Sequence, residues 1–133
     1  MKKITAVLVG AGGRGNEYST YSLEHPEEIQ MVAVAEPVKE RRELYAEKYN
    51  IPSENCFTDY KELFARGKIA DCAMICTQDN MHFEPTMMAI DLGYDILLEK
   101  PMSPSLDECI TMANYAAEKG VLLSLCYVLR FTE

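Results

Sequence analysis

The sequence has 133 residues and a formal net charge of −8, with 48% hydrophobic and 26% charged residues. That is enough chain for one domain with a core, and the mix is that of soluble globular proteins rather than disordered ones. An acidic balance argues against nucleic acid as a partner, and no apolar run approaches the ~18 residues a membrane span needs. Five scattered cysteines without a close CxxC pair argue against a zinc or other metal site, and read as reduced, buried thiols of a cytoplasmic protein.

Ile4 to Val9 is a β-branched run behind a short basic start. It is too short for a signal peptide and ends in glycines, so it reads as a first strand. Arg14 to Leu23 has helical character and stops at His25-Pro26, and Ile29 to Ala35 is strand-like up to Glu36-Pro37. Val38 to Tyr49 is a charged helix with Leu44, Tyr45 and Tyr49 at helical spacing, halted by Asn50-Ile51-Pro52. Cys56-Phe57 is a short strand, and Thr58-Asp59 caps a short helix through Phe64. Asp71 to Cys76 is a buried-type strand, and His82 to Leu92 is a helix closed by Gly93. Asp95 to Leu98 is a strand running into Glu99-Lys100-Pro101. Ser105 to Lys119 is a long helix with capping-box spacing at Ser105 and Glu108, closed by Gly120. Val121 to Val128 is the last strand. Strands alternating with helices predict an α/β fold, a doubly wound parallel sheet with strand order 3-2-1-4-5-6. The 133 residues form one dinucleotide-binding domain with nothing left over for a substrate, so they read as a fragment of a longer two-domain protein.

Gly10-Ala11-Gly12-Gly13-Arg14-Gly15 follows the first strand and opens the first helix. Gly10, Gly12 and Gly15 fit GxGxxG: a tight turn, a close backbone approach to a pyrophosphate, and close helix–strand packing. Gly13 lies in the same loop, and Arg14 either leans over the adenine or phosphates or is an exposed first-turn residue. Glu36 ends the second strand at the expected distance of ~20 residues, where a carboxylate accepts the adenosine ribose hydroxyls and repels a 2′-phosphate. NAD is therefore favoured over NADP; Arg41 and Arg42 close by either soften that choice or belong to a solvated helix face. Thr77 to His82 follows the fourth strand at the sheet edge that meets the cofactor: Thr77 turns the chain, Asp79 accepts a backbone N–H, and His82 starts a helix, either structurally or facing the cofactor. Lys100 follows the fifth strand at the same edge, where partial desolvation would lower its pKa for proton transfer, with Glu99 holding its ammonium.

Together the glycine loop, Ala35-Glu36-Pro37, Thr77 to His82, Glu99-Lys100-Pro101 and Arg130-Phe131 resemble the glucose–fructose oxidoreductase/inositol dehydrogenase (Gfo/Idh/MocA) family over nearly the whole chain. The resemblance implies an N-terminal Rossmann domain that binds NAD(P), and a C-terminal domain, absent here, that binds substrate and mediates homo-oligomerisation. It implies hydride transfer to or from a sugar, polyol or related hydroxy compound, with Lys100 as proton donor/acceptor and a cis bond to Pro101. Gln78 and Asp79 depart from the family's T-P-N-x-x-H pattern and put more negative charge near the nicotinamide. A non-catalytic NAD(P)- or sugar-sensing regulator and an NAD-dependent glycosidase are the other uses of such a pocket. A methyltransferase would share the glycine loop but not Glu99-Lys100-Pro101.

Overall fold

Six short strands supply the frame: β1 (Ile4–Val9), β2 (Ile29–Ala35), β3 (Cys56–Phe57), β4 (Cys72–Ile75), β5 (Asp95–Glu99) and β6 (Leu123–Cys126). In the computed structural model, which describes residues 1–127 and 129–130, they pair in parallel in the order β3-β2-β1-β4-β5-β6. This is the doubly wound order expected from the alternation of elements. The helices are α1 (Gly13–Ser19), α2 (Tyr21–Glu24), α3 (Lys39–Tyr49), α4 (Tyr60–Ala65), α5 (Phe83–Asp91) and α6 (Leu106–Lys119).

Each face of the sheet carries its own core. Val7, Val9, Ala73, Ile75, Ile96 and Leu98 pack with residues of α4, α5 and α6, among them Leu63, Ile90 and Met112. Ala6, Leu8, Met31, Val34 and Met74 pack with Tyr45 and Tyr49 of α3 on the other face. Fully burying a Val, Leu, Ile or Met side chain contributes about 1.5–3 kcal/mol, so the two layers outweigh any single polar contact. The strand alternation is interrupted once: Ala6 pairs with Met31 but Val7 pairs with Ala33, leaving Val32 as an extra residue in β2.

Three local expectations change. The helix expected over Arg14 to Leu23 is two helices, because the backbone tightens at Thr20: Thr20 N–H bonds the Glu17 carbonyl, Leu23 N–H bonds Thr20, and the Thr20 hydroxyl donates to Glu17 O at 2.6 Å. Leu44, expected on the apolar stripe of α3, is exposed, and only Tyr45 and Tyr49 turn inward. The last strand is shorter than Val121 to Val128, and Val128 lies outside the described residues.

The caps follow the sequence closely. Asp59 accepts the Lys61 N–H at 2.6 Å to start α4, and Asn50 and Gly120 close α3 and α6 in the left-handed conformation. Ser105 accepts the Glu108 N–H at 3.4 Å, but the return half of the capping box runs through a third residue. Ser103 Oγ accepts the Ser105 N–H at 3.0 Å and donates to the Glu108 carboxylate.

Gly15 sets how close α1 comes to the sheet. A Cβ there would meet the Gly10 carbonyl oxygen at 2.2 Å and the Leu8 methyls at 3.1 Å. Gly15→Ala is expected to destabilise the domain by about 1–3 kcal/mol in urea denaturation, the usual cost of overpacking. Gly12→Ala, with nothing within 4 Å of its Cβ, is expected to leave the midpoint nearly unchanged.

Candidate cofactor site

The carboxyl ends of β1, β2, β4 and β5 open onto one cleft of about 520 Å³. The crevice lies where the strand order reverses between β1 and β4, the place where doubly wound sheets bind ligands. Gly10, Gly12, Gly13 and Arg14 form its floor, Glu36 to Val38 and Arg41 one wall, and Cys76 to Asp79, Met81, Glu99 and Lys100 the other.

The floor is a backbone surface. Gly10 has φ +95° and lies so near β4 that a Cβ would meet the Cys76 carbonyl oxygen at 2.6 Å. Gly12 and Gly13 face open space and Gly12 caps α1 without a side-chain bond, so the first-turn N–H groups are left for water or a ligand. Gly15 is buried under the floor, in the packing role its place in the motif predicts. Asn16, missed by the sequence reading, holds the loop from behind: its Nδ2 donates to the Ala11 and Gly12 carbonyls, both at 2.9 Å. Its position four residues after Gly12 was the available signal. Arg14 is exposed, lines the cleft and pairs with Glu17 at 2.9 Å.

Glu36 is buried. It is 4% exposed, one oxygen accepting the Ala11 N–H at 3.0 Å and the other the Val38 N–H at 2.9 Å. The carboxylate thus ties the glycine loop to the end of β2. Each of its oxygens still has a lone pair for a hydroxyl in the cleft. Arg42 donates to the Glu36 carbonyl at 2.6 Å, whereas Arg41 stands exposed on the cleft wall.

On the opposite wall Asp79, Glu99 and Lys100 depart from expectation, and His82 takes no place facing the cleft. Asp79 lines the cleft, but its carboxylate makes no cap bond; the Thr77 hydroxyl closes the turn by donating to the Met81 carbonyl at 3.2 Å. His82 does not line the cleft: it is fully buried, with Nδ1 2.7 Å from the Pro101 carbonyl oxygen and Nε2 3.1 Å from that of Thr77. Glu99 is buried and accepts the Tyr18 hydroxyl at 2.5 Å instead of holding the Lys100 ammonium. Lys100 is exposed, so the partial desolvation expected of it is not met within the described residues. Its bond to Pro101 is cis, as expected. Lys100 also borders a second hollow, of about 500 Å³, with Tyr127, Leu129 and Arg130; Phe131, the other half of the closing motif, lies outside the described residues.

Burial and then the Glu99 bond push the Tyr18 phenol well up, so Tyr18 stays the donor at neutral pH. Burial, with Cys126 and Glu99 nearby, pushes the Cys76 thiol up to about 12, which makes it an inert wall rather than a nucleophile. The five cysteines are unpaired. Among the described residues, His25, Glu27 and Glu28 bring possible ligand atoms within 4.8 Å of one another, but on an exposed turn before β2, at the opposite edge of the sheet. No helix among the described residues is long and apolar enough to cross a membrane.

Residues 4–127 match the family model described as "Oxidoreductase family, NAD-binding Rossmann fold". The chain belongs to the Gfo/Idh/MocA oxidoreductase family. It is 34% identical over 117 residues to trans-1,2-dihydrobenzene-1,2-diol dehydrogenase of Mus musculus, covering 87% of this chain and 34% of that protein. It is 26% identical over 124 residues to scyllo-inositol 2-dehydrogenase (NADP(+)) of Bacillus subtilis, covering 93% of this chain and 34% of that protein. The chain thus spans about a third of the curated relatives it matches. The WlbA dehydrogenase of Bordetella pertussis, solved with NADH and UDP-GlcNAcA, superposes with a TM-score of 0.90 at 20% identity, over 100% of this chain and 39% of that one. At that identity the likeness speaks for the fold. Within this family the cleft belongs to the NAD-binding domain.

Gly12 offers a clean test of the floor. Gly12→Val is expected to melt with the unsubstituted chain, because its Cβ points into open space. The valine would fill the space a pyrophosphate needs, and NADH affinity measured by fluorescence titration is expected to fall at least tenfold, about 1.4 kcal/mol.

Proposed function

We propose that this domain serves an NAD-preferring oxidoreductase that transfers hydride between the nicotinamide and a sugar, polyol or related hydroxy compound. The observation that carries the reading is a single cleft with Glu36 at one wall and Lys100 at the other, joined by a glycine floor that is open above Gly12 and Gly13. Glu36 would accept the adenosine ribose hydroxyls through its remaining lone pairs, the Gly12–Gly13 backbone would hold the pyrophosphate, and Thr77 and Lys100 would flank the nicotinamide. The bound cofactor supplies the hydride acceptor or donor. Lys100 supplies the proton exchange: its neutral amine takes the hydroxyl proton as the carbinol carbon loses hydride, and its ammonium returns it in the reverse direction. The relatives, dehydrogenases of a dihydrodiol and of an inositol, support a polyhydroxylated small molecule as substrate.

Closure of the active site falls to a second domain in this reading, since Lys100 is exposed and the curated relatives are about three times as long. That domain would supply the remaining substrate contacts and the subunit interface of a homo-oligomer acting in the cytoplasm.

Titration of the chain should give at least about tenfold tighter binding of NADH than of NADPH, because the 2′-phosphate would approach the Glu36 carboxylate. Glu36→Gln should narrow the gap. Equal or tighter NADPH binding by the unsubstituted chain would overturn the preference and point to Arg41 as the phosphate's partner.

In the enzyme joined to its substrate domain, Lys100→Ala should lower turnover about 100-fold or more. Lys100→Arg should not restore it, because a guanidinium does not give up its proton near neutral pH. Near-normal turnover in Lys100→Ala would overturn the catalytic assignment.

A further inference from the structure

Lys100 stands between two anchored neighbours. Glu99 before it is buried and bonded to Tyr18 of α1. Pro101 after it has no N–H, but its carbonyl oxygen lies 2.7 Å from His82 Nδ1. The imidazole is fully buried, and its other nitrogen faces the Thr77 carbonyl at 3.1 Å. One rigid ring therefore spans the two segments that make the far wall of the cleft: the turn after β4, which carries Thr77 and Met81, and the turn after β5, which carries Lys100.

The ring is held in place by cost as well as by attraction. A buried polar nitrogen or carbonyl left without a partner carries the full cost of losing its water. Both carbonyls can only accept, so each contact is a bond only where the facing ring nitrogen carries a proton, and the 2.7 Å contact to Pro101 is the closer. The Thr77 contact is the longer of the two, and that carbonyl's segment is already closed on itself by the Thr77 hydroxyl bond to Met81. Among the described hydrogen bonds, none closes the Lys100–Pro101 turn on itself in the same way.

We propose that His82 is a positioning residue for Lys100: its Nδ1–H bond to the Pro101 carbonyl sets where the lysine backbone stands beside the cleft. The inference rests on the reading of Lys100 as the proton donor/acceptor for its functional meaning, but the bond and its effect on the turn are tested without turnover. Side-chain amides separate the two ring nitrogens. The Asn amide nitrogen falls where Nδ1 does and keeps a donor on the Pro101 carbonyl, while the Gln amide nitrogen reaches the place of Nε2, faces the Thr77 carbonyl and leaves Pro101 without its donor.

The test uses the ¹⁵N-labelled chain with and without NADH, with thermal denaturation as the check on folding. The Lys100 amide order parameter is expected near the rigid-backbone value of about 0.85 in the unsubstituted chain, to stay there in His82→Asn, and to fall below about 0.6 in His82→Gln. Acetylation of Lys100 by an activated ester, followed by mass spectrometry, should be slowed by NADH in the unsubstituted chain and His82→Asn, and not in His82→Gln. Equal order parameters in the Asn and Gln variants, whether both high or both low, would overturn the proposal: the ring would then only fill space. Failure of the unsubstituted chain to bind NADH would overturn the cofactor reading instead, and the order-parameter comparison would still decide the role of His82.

Discussion

The geometry of the cleft depends on one close approach. Gly10 lies against the end of β4, where any side chain would run into the Cys76 carbonyl at 2.6 Å, and Gly15 lets α1 settle on the Gly10 carbonyl itself. The glycine loop is thereby pressed flat against the sheet at the point where strand order reverses. Its backbone, rather than any side chain, becomes the surface a dinucleotide meets. Backbone N–H groups serve an anion irrespective of the protein's net charge, which reconciles an acidic chain with a polyanionic cofactor.

Once the loop is pressed down, buried acidic residues lock it. Glu36 takes N–H bonds from Ala11 on the loop and Val38 beyond β2, and Glu99 takes the hydroxyl of Tyr18 from α1. Both carboxylates are nearly excluded from water, and among the described residues neither forms an ion pair. Hydrogen bonds to a charged acceptor are roughly twice as strong as neutral ones, and they offset what the burial of charge costs. Acidic side chains that look like ligands for a substrate thus first serve as struts between strand ends and the phosphate loop, leaving their outer lone pairs for chemistry.

Strand order, helix caps and the glycine loop were legible because each rests on local pattern: apolar runs, cap residues, and glycines at fixed spacing. The partners of the site residues were not. Tyr18 meets Glu99 across 81 positions and Ala11 meets Glu36 across 25, and no periodicity links residues that far apart. His82 shows the limit most clearly. Its place at a helix start suited either a structural or a cofactor-facing role, and what separates them is the Pro101 carbonyl 19 residues on. Leu44 erred in the opposite direction: its spacing fitted the apolar stripe, but the face of α3 toward the sheet is narrow and two tyrosines fill it.

The extra residue in β2 has a bearing on Glu36. In a strand successive side chains alternate between faces, so one unpaired residue inverts the parity of everything after it. Val32 and Ala33 both belong to the layer under α4, α5 and α6, and from there Val34 turns to the layer under α3, on the side where Ala11 packs. Counting on, Glu36 follows Val34's parity and arrives beside the Ala11 N–H. Without the insertion the same acidic residue, at the same distance from the glycines, would hang on the wrong side of the sheet. The customary spacing between a glycine fingerprint and its acidic residue is therefore incomplete as a rule. The count must also be odd or even in step with the pleat, and here a single valine resets it.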